Sequence, residues 1–496
     1  MSEQEISGPA SVPRVIRRLE AEPAWWLVSA AAVLVSAVLA RVVLYLRFPI
    51  LLTNDSPDYL LAGERIAAEL DFMNAGLRDW RLPGYPLFLA LAQWLAEWRS
   101  TSVVAVQSLG GVLCVGFGIA AGRFLGLRLG SVVLGAFLAL HPVYLLSEHL
   151  VMTEALFILL LWSVATVGIA ALRDRPEFLP GLLLGALLSW CVLTRANGLF
   201  FCVPVVAGLI GLSRIERGAW RARLASLAPF AFGILLAVTV LVGLWAYRND
   251  LFLGRPRPFT NNFQRALLIY QAQHDFIDPE LPEIRRFGFD PATPSESAYR
   301  LVEELAASGS IAAEAVARRI VREQVRERKR DYLQQVGYSL LHYSGFRVPT
   351  RTPGRSDMTY WFHRYAGHFP LVHTHNLGLA RRSGLEYVAV GRGGRVLRWW
   401  SAAGTWHLNA GRGLLSSVFA LAVAVLGLTG GLRPTDRAGT ALLALTLGLL
   451  SAAAAHAVML ADYDRFAMPF DGFQVLVILG VTQRARRWDR AFSPPR

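Results

Sequence analysis

The sequence predicts an all-α polytopic membrane protein of about ten spanning helices with a smaller mixed domain on the outer face. Three observations carry that expectation. The 496 residues are 54% hydrophobic and only 17% charged, more apolar and less charged than soluble domains. Apolar runs long enough to cross a bilayer recur along most of the chain. The basic residues fall between those runs: the formal charge is +14, Lys329 is the only lysine, and the arginines flank apolar spans. That placement fits membrane orientation and lipid phosphate better than a nucleic-acid footprint. Cys114, Cys191 and Cys202 all lie in apolar segments and read as small buried residues, with no disulfide framework.

Taken in order, the elements follow from hydropathy and charge. Arg14, Arg17 and Arg18 precede an apolar stretch from Trp25 to about Tyr45, too long for a signal-peptide core, which reads as an uncleaved signal anchor. Spans are expected near 25–46, 101–122, 129–147, 152–172, 178–194, 197–213, 225–247, 411–430, 438–460 and 466–482. The patch from Leu87 to Trp98 is short, and the positive-inside rule decides its reading. If it does not span and the N-terminus is cytoplasmic, every inside segment is basic: Arg14–Arg18, Arg123–Arg128, Arg173–Arg175, Arg214–Arg223, Arg433–Arg437 and Arg484–Arg490. Ten spans with both ends inside is therefore the reading, and eleven is its competitor. Residues 1–247 form an N-terminal transmembrane module with a first outer loop at 47–100. Residues 248–410 form a long outer-face domain with a basic amphipathic helix near 310–343, and 411–496 supply the last three spans and a basic tail.

With that topology the unusual polar residues share one face. Asp55 and Asp58 follow span one, Glu148, His149 and Glu154 surround the turn after span three, and Arg195 and Asn197 follow span five. Arg248 and Asn249 end span seven, and Asp462, Asp464 and Arg465 lie between spans nine and ten. His456, inside span nine, is the only ionisable residue near a midplane suited to a relay. Acids and arginines gathered at one interface suit a shared cavity, where a carboxylate can take a proton from a hydroxyl and arginines can hold a phosphate. A set of solvated loop residues is the competing reading. Asp58 reads either as a second site acid or as a cap on the following helix, with capping favoured. For a divalent ion the candidates are His363, His368, His373 and His375, with Glu148 and His149 a second possibility; no cofactor is certain.

The ordered motifs resemble the glycosyltransferase C (GT-C) superfamily, family 39 in particular, which includes protein O-mannosyltransferases and lipid A aminoarabinose transferases. The matching pieces are Asp55-Ser-Pro-Asp-Tyr59, Arg81-Leu-Pro-Gly-Tyr-Pro-Leu-Phe-Leu-Ala90, His141-Pro-Val-Tyr144 and Met152-Thr-Glu-Ala-Leu-Phe157. They continue with Leu193-Thr-Arg-Ala-Asn-Gly198, Leu244-Trp-Ala-Tyr-Arg-Asn249, Thr260-Asn261-Asn262 and Asp464-Arg-Phe-Ala-Met-Pro469. The resemblance implies a GT-C-like bundle that transfers a sugar from a polyprenyl-phosphate donor to a glycan, lipid or protein hydroxyl, with inversion. The expected place is the extracytoplasmic face of a bacterial cell membrane, among membrane lipids and without nucleic acid. It implies Asp55 as the acceptor-side base, Glu154 as the supporting acid, and Arg195, Arg248 and Arg465 on the donor phosphate. Tyr59, Arg81 and Tyr85 then shape the groove beside Asp58, Glu148 and His149. Many relatives place an acid directly after the first-loop aspartate, whereas here Ser56 and Pro57 precede Asp58. Competing functions are a lipid-linked glycan polymerase or ligase, a lipid or glycan flippase, and a non-enzymatic scaffold.

Overall fold

A computed structural model describes residues 22–47, 55–72, 81–95, 100–173, 177–212, 220–253, 310–344, 346, 395–428, 437–458 and 467–492, with five positions between 284 and 300. The chain begins with α1 (Ala24–Arg47), α2 (Ser56–Glu69), α3 (Gly84–Leu95), α4 (Ser100–Phe124), α5 (Arg128–Leu140) and α6 (Pro142–Ser147). It continues with α7 (Glu154–Arg173), α8 (Phe178–Thr194), α9 (Gly198–Leu212) and α10 (Trp220–Leu253). Then come α11 (Ser310–Glu327), α12 (Lys329–Tyr343) and α13 (Arg395–Trp406), a π-helical turn (His407–Gly411), α14 (Arg412–Leu428), α15 (Arg437–Val458) and α16 (Asp471–Phe492). Among the described residues six helical stretches are long and apolar enough to cross a membrane, and Arg128–Leu140, Phe178–Thr194 and Gly198–Gly208 are shorter apolar helices. The protein is thus an all-helical, multi-pass membrane bundle.

Local chemistry explains the interruptions. The run expected over 129–147 breaks at His141, whose backbone is extended (φ −63°, ψ 116°), because Pro142 lacks an N–H and disfavours the helical region for the residue before it. Within the predicted outer domain the described residues are mostly helical and include no strand, so its mixed character has no counterpart among them. The single basic helix expected over 310–343 is two helices, broken at Arg328 (φ −111°, ψ 39°).

In a bilayer, lipid tails are as apolar as leucine, so helices associate through close packing rather than water exclusion. Here small residues permit it: a Cβ at Gly181 would lie 2.1 Å from the Phe230 carbonyl oxygen, and one at Gly185 2.6 Å from that of Ile234. Backbones of α8 and α10 therefore touch, side by side and parallel. Aromatic stacking joins α7 to α16, with the Trp162 and Phe473 rings 4.1 Å apart. Val28, Val35, Leu39, Val42 and Leu46 of α1 remain exposed at helical spacing, which leaves an apolar stripe for lipid.

Two ends of the bundle differ in character. At one end Trp26 donates to Ser131 Oγ (3.0 Å), Gln483 donates to the Gly126 carbonyl (3.1 Å), and Arg123 and Arg128 pair with Glu22. The beginning of α1 and the end of α4 meet there, so the two helices are antiparallel and the chain between them returns to the end it left. Within that segment α2 and α3 pack side by side and parallel: Tyr59 meets Tyr85, a Cβ at Gly63 would lie 2.9 Å from that of Leu89, and Trp94 donates to the Ala67 carbonyl (2.9 Å). The described α3 has 12 residues, about 18 Å of helix against a hydrocarbon core of about 30 Å. The described part of α3 is thus shorter than a span.

Candidate functional site

The opposite end gathers the buried polar groups. Ser56 Oγ donates to the Val151 carbonyl at 2.9 Å and pins the start of α2 beside the turn leading into α7. Asp55 is the N-cap residue of α2 but makes no side-chain cap hydrogen bond, and Asp58 lies inside the first turn. The favoured sequence reading of Asp58 as the cap is therefore corrected. Both carboxylates take charge from one cation: Arg81 Nη2 lies 2.7 Å from Asp55 Oδ1 and 3.1 Å from Asp58 Oδ2, and Arg81 Nε 3.2 Å from the latter. The Asp55 side chain is 31% exposed and that of Asp58 54%, so Asp55 is the better shielded. Their position also places negative charge at the positive end of the α2 dipole. Burial opposes the Arg81 charge, but Tyr59, Asp55 and Asp58 outweigh it and raise its pKa further.

Aromatic residues join this clamp to the interior. The Arg81 guanidinium lies 4.9 Å from the centre of the Tyr59 ring, within cation–π range. Tyr59 meets Tyr85 edge to face at 5.2 Å, and the buried Tyr85 hydroxyl donates to Gln107 Oε1 at 2.7 Å. Gln107 in turn donates to the carbonyls of Glu148 (2.7 Å) and Leu150 (3.0 Å). Glu148 is itself an internal partner, 2.7 Å from Arg41 Nη2, with both side chains nearly inaccessible. Burial outweighs Arg41 and pushes the Glu148 carboxyl up to about 7. His149 is buried beside it. Glu148 and His149 thus belong to the packed support beneath the clamp.

The second charged pair is Glu154 with Arg195, 2.9 Å apart, with the Glu154 side chain fully buried. Only Oε1 of Glu154 is engaged; Oε2 is buried with no hydrogen-bond partner. The Arg195 guanidinium also lies 5.5 Å from the Phe157 ring centre. Tyr59 connects the two pairs electrostatically. Burial raises the pKa of its hydroxyl, Arg81 opposes that, and Asp55, Glu154 and Arg195 act on it in turn. Asn197 contacts His456 Nε2 at 3.0 Å, and the His456 ring stacks on Tyr343 at 5.0 Å. The polar residues of 55–59, 148–154, 195–197 and 456 therefore converge from four segments of the chain.

Arg248 has different neighbours. It donates to the Phe72 carbonyl at 3.0 Å and lies over the Trp245 ring at 4.8 Å. Phe72 follows the C-terminus of α2, so Arg248 stands about 20 Å from Asp55 along that helix. Leu193 and Trp245 share one apolar cluster, which keeps the ends of α8 and α10, and so Arg195 and Arg248, on adjacent helices.

A third polar cluster was not singled out by the sequence reading. His141 Nε2 lies 3.0 Å from His407 Nε2, which lies 3.0 Å from Asp471 Oδ2, while Arg412 Nε reaches Asp471 Oδ1 at 3.3 Å. Asp471 and Arg41 carried one usable signal each, an ionisable residue inside a predicted apolar span. His141, inside the span expected over 129–147, and Arg412, at the start of that expected over 411–430, carried the same signal; His407 carried none. Arg465 and the histidines His363, His368, His373 and His375 lie outside the described residues.

No protein-family model matches the sequence, and no curated protein matches it. Among solved structures the chain is similar to that of ArnT from Cupriavidus metallidurans bound to undecaprenyl phosphate. The identity is 15%, the match covers 93% of this chain and 78% of that one, and the TM-score is 0.38.

Proposed function

We propose that this chain is a membrane glycosyltransferase of the GT-C type, resembling family 39. It moves a sugar from a polyprenyl-phosphate donor to an acceptor hydroxyl, with inversion, at the extracytoplasmic face of a bacterial cell membrane. One observation carries the reading: two carboxylate–arginine pairs, Asp55 with Arg81 and Glu154 with Arg195, flank a single buried tyrosine at one end of the bundle.

The reaction needs an aligned acceptor, a base, and positive charge for the departing phosphate. Asp55 is the base. Arg81 fixes its orientation through one oxygen, and the carboxylate accepts the hydroxyl proton as the new glycosidic bond forms. The donor carbon–oxygen bond to phosphate breaks as that bond is made, and the negative charge leaves with the lipid phosphate. Arg195 receives it, supported by Glu154, whose own charge holds the guanidinium in place between donor turnovers. Arg248, on α10, contacts the chain at the far end of α2 and serves the donor path rather than the reacting phosphate. A flippase would concentrate charge at the bilayer midplane, whereas these pairs cluster where helices end.

The test is a deletion strain complemented with wild type or Asp55→Asn and examined by cell-envelope glycan analysis. The expected result is restoration by wild type alone, with Asp55→Asn present in the membrane at normal level. An unchanged envelope on deletion, together with purified protein that binds no polyprenyl-phosphate sugar, ends the enzyme reading.

A further inference from the structure

We propose that His141, His407 and Asp471 are the protein ligands of a divalent transition-metal ion of the zinc class, at a site separate from the transfer chemistry. The three side chains come from distant parts of the chain: the break between α5 and α6, the π-helical turn before α14, and the first residue of α16. All are buried, at 4%, 9% and 1% exposure. Their ligand atoms lie within 4.8 Å of one another.

Proton counting shows why a cation belongs there. His407 Nε2 lies 3.0 Å from both His141 Nε2 and Asp471 Oδ2. If His407 Nε2 carries a proton, that proton serves one of the two contacts well and the other poorly. If it carries none, it faces a carboxylate oxygen lone pair to lone pair. Either way three electron-rich atoms converge in a buried space with too few protons to join them. A metal ion satisfies all three at once. Two of the three spacings, 3.0 Å each, are close to what it needs: zinc bonds to nitrogen and oxygen of about 2.0–2.2 Å, arranged tetrahedrally, put ligand atoms about 3.3 Å apart.

The surroundings support the donors. The π-helical turn His407–Gly411 adds a residue to the helix and turns the imidazole inward, a device common at functional positions. Arg412 Nε holds the other oxygen of Asp471 at 3.3 Å, and Arg412 Nη2 donates to the Tyr343 carbonyl at 2.6 Å. These outer contacts fix the carboxylate as metal ligands require. Two imidazoles and one carboxylate suit zinc-class ions rather than magnesium or calcium. With a single carboxylate and a neighbouring arginine the bound ion keeps surplus positive charge, so the fourth position takes an oxygen ligand such as hydroxide. The ion clips the C-terminal helices to the α5–α6 break, one short helix before Glu148.

The test uses the full chain in detergent, loaded with zinc, dialysed, and analysed for metal by mass spectrometry. Wild type retains about one ion per chain. His407→Ala and Asp471→Asn lose it, while a variant with alanine at positions 363, 368, 373 and 375 keeps it. Equal zinc in wild type and Asp471→Asn, or loss only in the four-alanine variant, overturns the proposal. Should the two variants fail to fold, cobalt loading of wild type decides: a visible ligand-field spectrum of tetrahedral type, abolished by zinc, supports the site. Its absence overturns it.

Discussion

Replacing Arg195 separates architecture from chemistry. The Glu154 side chain is fully inaccessible and its Oε1 lies 2.9 Å from Arg195 Nη1, while Oε2 has no hydrogen-bond partner. Arg195→Met therefore strands a buried carboxylate, and removing one partner of such a pair costs about 3–5 kcal/mol. Glu154→Gln/Arg195→Met removes both charges and should recover most of that loss, since a buried pair replaced by neutral groups is often close to neutral in stability. Transfer should behave differently. A charge-assisted contact to the departing phosphate contributes about 1.5–3 kcal/mol, or about 10- to 150-fold in rate. The assay pairs denaturant unfolding in detergent with transfer of labelled sugar from a polyprenyl-phosphate donor in vesicles. The double variant should be stable yet slow. Near-wild-type transfer by the double variant would refute Arg195 as the phosphate ligand, and unchanged stability in Arg195→Met would refute the pair itself.

Two further outcomes follow from the same geometry. Because burial lifts the Glu148 carboxyl from 4.5 to about 7, the folded state holds a proton that the unfolded chain releases first. Stability is then full below about pH 4.5, falls by about 3 kcal/mol as pH rises to about 7, and levels off above; unfolding of Glu148→Gln across the same range should lack this slope. A Cβ at Gly84 would lie 2.4 Å from Thr194 Oγ1 and 2.7 Å from its backbone nitrogen. Gly84→Ala should thus displace α3 from the residue before Arg195, costing about 1–3 kcal/mol and slowing transfer. Gly116→Ala, where a Cβ meets nothing within 4 Å, is the matched control in both assays.

Hydropathy located the helices well because burial in lipid demands long apolar runs whatever the tertiary partners. The proline at 142 even marked where one run breaks, though the reading carried it through as one span. Polar residues at span ends were legible for a similar reason: charge near a bilayer is rare enough to notice, and Asp55, Glu154 and Arg195 stood out. Their pairing was not legible. Nothing local says that Arg81 bridges Asp55 and Asp58, or that Arg195 and Arg248 have different neighbours, since those facts depend on how the parallel α2–α3 pair lies across helix ends. The His141–His407–Asp471 cluster was least visible. Its members are 266 and 64 residues apart, each lay in a segment explained by something else, and the π-helical turn that aims His407 has no sequence signature.

The buried partners at the polar end also set a timetable for assembly. Arg41 and Glu148 are 107 residues apart, so at a synthesis rate of about 5–20 residues per second Arg41 waits about 5–20 s for its counter-charge. His141 waits about 15–50 s for His407 by the same arithmetic, across a separation of 266 residues. During that interval Arg41, six residues from the end of α1, can extend its charge toward the headgroups. The early bundle is thus a provisional one, held by lipid-facing helices. It locks only when the last hairpin delivers Asp471.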